Sequence, residues 1–88
     1  MALRITSKTF VTNRSLEVDS AGVTYREATA FSNVRKFGFA QIEAILMAPD
    51  HTLSFQVGRE VFSIPTSPHD KSHQQTIESL LQEVRRSA

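Results

Sequence analysis

His69 and His73 stand four residues apart, with Asp70 between them. On a helix that spacing places two imidazoles on one face, an arrangement able to chelate a divalent cation. The pattern is not H-E-x-x-H, and no third ligand is evident. Both positions also continue the apolar stripe of Ile77 towards the helix start. The expectation is two histidines at the rim of a core and no bound metal.

Nucleophilic catalysis needs a nucleophile beside a base that a third group orients. No serine stands in G-x-S-x-G or a similar context, and the chain has no cysteine. Its three glycines lie far apart, which excludes a glycine-rich phosphate loop. Among nine carboxylates, sequence selects no acid–base pair. The chain is expected to be non-catalytic and to need no cofactor.

Arg35, Lys36, Phe37 and Phe39, with Tyr25 and Arg26, interleave cations and rings as single-stranded nucleic-acid sites do. Six phenylalanines are also about what a small barrel consumes as core, so no strong nucleic-acid signal results. The net charge of +1 demands neither nucleic acid nor a membrane. The basic residues nevertheless favour the N-terminal half. Arg4, Lys8, Arg14, Arg35 and Lys36 are the candidate contacts for a weakly held anion, a lipid headgroup or nucleic acid.

The elements that would position these residues follow from period and punctuation. Ile77, Leu80, Leu81 and Val84 make one helical stripe. Ser67 as N-cap, Pro68 at the first helical position and Asp70 near the positive end predict a helix over about 68–86. Leu53, Phe55 and Val57, then Phe62 and Ile64, alternate with other residues around Gly58-Arg59. That predicts a hairpin. A second hairpin is expected at Leu16–Val18 and Val23–Tyr25 across Asp19-Ser20-Ala21-Gly22. An earlier strand fits Leu3 to Val11.

Lys36 to Met47 is the most apolar stretch and admits two readings. As a helix, Phe39, Ile42 and Leu46 form a stripe. As strands, Val34 to Phe39 and Ile42 to Ala48 are separate elements. Gly38 and the turn-like Pro49-Asp50-His51-Thr52 favour strands. Ile42, Ala44 and Leu46 then share the core face, while Glu43, Ile45 and Met47 point out.

The bulk numbers fit one domain spanning 1–88, with strands over about 3–64 before the helix. MALRITSKTF lacks the apolar run of a signal peptide, and no stretch approaches a transmembrane segment. Together with the absence of cysteine, this leads to the expectation of a soluble, cytoplasmic protein.

Six or seven short strands followed by one amphipathic helix resemble the pleckstrin-homology-like (PH-like) domain, especially its small bacterial members. The resemblance rests on Phe37-Gly-Phe-Ala-Gln-Ile-Glu-Ala-Ile45, on the hairpin Leu53–Ile64 and on the helix from Pro68. It implies a mainly β protein with one C-terminal α-helix. The family's two roughly orthogonal antiparallel sheets form a partly open barrel capped by the helix. It implies no catalytic residues. Members that bind phosphoinositides carry lysine followed later by Arg-x-Arg, whereas here Lys8 is followed by Arg14-Ser15-Leu16. Phosphoinositide binding is therefore not implied.

Outward Ile45, Met47 and Val61 would form an apolar contact patch. The resulting expectation is a module for protein binding or self-association, a homo-oligomer in the second case, with weak anion binding as the alternative.

Overall fold

The computed structural model describes residues 3–8, 13–28 and 32–87. β1 (Leu3–Lys8), β2 (Asn13–Val18), β3 (Val23–Ala28) and β4 (Ser32–Phe37) form an antiparallel sheet in chain order. β5 (Ala44–Met47), β6 (Thr52–Val57) and β7 (Glu60–Pro65) form a second antiparallel sheet. The helix α1 (Lys71–Ser87) comes last. The protein is thus mainly β with one C-terminal helix, as its patterning predicts.

Turn chemistry explains the hairpins. Asp19 Oδ1 accepts the N–H groups of Ala21 and Gly22 at 2.8 and 3.1 Å, so the side chain templates the β2–β3 turn. Gly22 has φ 150°, and a Cβ there would collide with the Phe37 carbonyl oxygen. Only glycine lets β3 begin this close to the end of β4. At the β6–β7 turn, Gly58 supplies φ 61°.

Ile5, Leu16, Val18, Val23, Tyr25 and Phe37 line the inner face of the first sheet. Leu53, Phe55 and Ile64 answer from the second, with Ile45, Val57 and Phe62 packed beside them. Phe62 joins the sheets, with its ring centroid 5.1 Å from Tyr25, 5.0 Å from Phe37 and 5.3 Å from Phe55. The helix lies against β1, β2 and a single 3-10 turn, Phe39–Gln41. It buries Thr76, Ile77 and Leu80, while Leu81 and Val84 are partly buried.

Three expectations need correction. The helix N-cap is Asp70, not Ser67. Asp70 Oδ1 accepts the N–H groups of Ser72 at 2.9 Å and His73 at 3.3 Å. Pro68 therefore lies in the preceding turn rather than at the first helical position. The strands around Gly38 also differ: β4 is Ser32–Phe37 rather than Val34–Phe39, β5 is Ala44–Met47 rather than Ile42–Ala48, and Phe39–Gln41 forms the 3-10 turn. The facing of Ile42–Met47 also changes. Ile42 is buried, but Ala44 and Leu46 point out and Ile45 packs on the core. The register of β5 on β6 is responsible. It sets Ile45 opposite Phe55 and Met47 opposite Leu53, and both of those partners are buried. The strand expected from Leu3 is seen to Lys8; Val11 lies outside the described residues.

Candidate functional site

Two places combine exposure with specific residue chemistry. The first is a cleft of about 510 Å³ where the inner faces of β2, β3 and β4 open beside β7. Period-2 alternation carries the core face of these strands outward from Leu16, Tyr25 and Phe37 to Arg14, Glu27 and Arg35. The Tyr25 hydroxyl lies 3.1 Å from Glu27 Oε2 and 3.2 Å from the Ser63 carbonyl oxygen. Burial, then the hydrogen bond and negative charge of Glu27, push the Tyr25 phenol up to about 12. Arg14 Nη1 donates to Ser63 O at 3.4 Å. Its buried Nε makes no hydrogen bond among the described residues, and Glu27 Oε2 is 3.5 Å away. Across the mouth, Arg35 makes a bidentate pair with Glu60, at 2.5 and 2.7 Å. That pairing raises the guanidinium pKa and lowers the carboxyl one. Arg35 also lies 5.7 Å from the centroid of Phe62. The cleft thus holds two cations and two anions that already face each other.

The candidate anion contacts are divided between surfaces. Arg14 and Arg35 face the cleft. Arg4 pairs with Glu17 at 2.6 Å, and Lys36 is exposed in the same cross-strand row as Thr24 and Glu17. The Lys8 side chain lies outside the described residues. His73 Nδ1 accepts the Ser67 N–H at 3.0 Å, which ties the imidazole to the turn before the helix. His69 is exposed. Among the described residues, no group of three side chains suited to a metal converges.

The second place is the outer face of the β5–β7 sheet and its β5 edge, which no other strand pairs among the described residues. Leu46 is 68% exposed and Val61 63% exposed, and both border a shallow apolar groove with Ala44, Ser54 and Gln56. Of the three residues expected to form a patch, Val61 lies on this face. Ile45 is turned to the core, and Met47 lies on the core side at the strand end, 40% exposed. Leu46 lies on this face because β5 pairs out of phase with the parity that Ile42 suggests. Counting back from Leu53 and Phe55 across the 48–52 turn finds it.

Only β6 pairs with β5 among the described residues. Exposed strand edges are usually blunted by charge, proline, a bulge or a covering element. β4 carries Arg35 and Lys36, β7 carries Glu60 and Pro65, and α1 packs against β1. Ala44-Ile45-Leu46-Met47 has neither charge nor proline.

Among the described residues, no helix is long and apolar enough to cross a membrane. Comparison of the chain with family models, curated proteins and solved structures finds no match.

Proposed function

We propose that this chain is a non-catalytic protein-interaction or self-assembly module of PH-like fold, docking through the β5–β7 sheet. The observation that carries the reading is the strand Ala44–Met47, paired on one side only among the described residues, with Leu46 on it and Val61 on the same face exposed. Apolar area beside an open strand edge offers a partner both hydrophobic burial and main-chain hydrogen bonds. The order of four antiparallel strands, three antiparallel strands and a terminal helix supports the PH-like assignment. The lack of cysteine suits work in the cytoplasm.

The test is photo-cross-linking in cells, with benzoylphenylalanine replacing Ala44, which is exposed on β5, or, as a control, Thr24. A discrete protein adduct at position 44, absent from the control and lost with Leu46→Asp, is expected. No adduct at position 44, or the same adduct from both positions, overturns the reading.

A further inference from the structure

The partner of this sheet can be specified further, given that it is a protein-docking surface. We propose that it is a second copy of the chain, joined by antiparallel pairing of β5 with β5 about a two-fold axis through Leu46. The hydrogen-bond pattern defines the geometry. Ala48 N–H donates to Thr52 O at 3.0 Å, so position 48 belongs to a hydrogen-bonded pair with β6. Antiparallel ladders alternate. Ala44 and Leu46 therefore bond inward to β6, while the N–H and C=O groups of Ile45 and Met47 face the open edge.

Those free groups limit the symmetric registers. Two copies must pair residues of equal parity, or the core face of one would continue into the outer face of the other. An axis through Ile45 would set Glu43 against Met47 of the other copy. An axis through Leu46 sets Leu46 against Leu46, and Ile45 against Met47 in both directions. Every cross-strand pair of β5 is then apolar. Four main-chain hydrogen bonds form, shared between Ile45 and Met47 of the two copies. The Glu43 carboxylates lie at opposite ends of the joined ladder and do not oppose each other. The same chemistry is required of both partners, and β5 supplies it. Stable interfaces bury about 1,200–2,000 Å². A ladder of the four residues Ala44–Met47 buries less, so the dimer is weak and reversible.

The absence of native cysteine makes the register directly testable. Leu46→Cys, Ile45→Cys and Val61→Cys single variants are oxidised, and the fraction of disulfide dimer is compared. Residues opposed in a non-hydrogen-bonded antiparallel pair lie about 4.5 Å apart between Cα atoms, close enough to bridge. Leu46→Cys is expected to cross-link at least tenfold faster than the other two. Sedimentation velocity should show wild-type dimer appearing between micromolar and millimolar concentration and Leu46→Lys staying monomeric with unchanged circular dichroism. Faster cross-linking at position 45 or 61, or a wild type monomeric throughout, overturns the proposal. If the wild type is monomeric but position 44 still captures a different protein, the docking surface stands and only the self-pairing fails.

Discussion

Tyr25 shows how one residue couples burial to charge. Its hydroxyl is held between Glu27 and the Ser63 carbonyl, and its pKa rises to about 12. Because the folded value lies above the unfolded one, the stabilisation is complete below the unfolded pKa of about 10. It is lost as pH rises through the folded value. Chemical denaturation from neutral to strongly alkaline pH should show wild-type stability falling over that window. Tyr25→Phe should lack this component while losing about 1 kcal/mol at neutral pH for the missing hydrogen bond. A Tyr25→Phe profile parallel to wild type would contradict the assignment. Gly22 is sensitive for a different reason. Gly22→Ala combines an unfavourable φ with a collision at the Phe37 carbonyl, and should cost more than about 1 kcal/mol. Gly58→Ala meets no neighbour, so thermal melts should rank it the milder change.

At the scale of the element, α1 depends on its cap and its buried stripe. Hydrogen bonds from Ser72 and His73 lower the Asp70 pKa, the Ser72 side chain contributing most. This stabilisation is present above the unfolded carboxyl pKa and lost as acid protonates the folded carboxylate. Asp70→Ala should lower the melting temperature at neutral pH, and the difference from wild type should shrink in acid. Along the stripe, Leu80 is fully buried whereas Leu81 is only partly so. Leu80→Ala should cost about 2–5 kcal/mol in urea denaturation, with Leu81→Ala distinctly less. Equal losses would mean that the helix is rotated about its axis. Thr76 was not legible as core from sequence. It is buried because its Oγ1 donates to the Ser72 carbonyl at 2.7 Å, which satisfies the hydroxyl within the helix.

At the scale of the whole molecule, the two sheets share one aromatic cluster, with Phe55 and Phe62 stacked and Tyr25 and Phe37 against both. Phe55→Ala should cost about 3–5 kcal/mol. The sheets should still melt together, because Phe62 still bridges to Tyr25 and Phe37. Separate transitions by near- and far-ultraviolet dichroism would show that the sheets are independent units. The exposed Arg35–Glu60 pair also crosses between sheets but should contribute little, since solvent and salt screen it. Glu60→Gln should leave the melting temperature almost unchanged at moderate salt.

Local pattern was enough for the hairpins and the helix. Leu53, Phe55 and Ile64 alternate around Gly58, and Ile77, Leu80 and Val84 recur at helical spacing, so periodicity alone names the element and its buried side. The stretch Lys36–Met47 resisted that reading because both of its faces are apolar. Its facing depends on the 3-10 turn Phe39–Gln41 and on pairing with β6, and pairing is a contact between segments rather than a property of either. The cleft was illegible for the same reason: Arg14 and Glu60 are distant in the chain, yet both border it. Residue types and spacing determined which segments become strands and helix, because those periods act over neighbouring positions. Register, and with it the exposure of Leu46 rather than Ile45, was decided only in the tertiary structure. A shift of one residue in pairing reverses every side chain of a strand at almost no cost to its local preference.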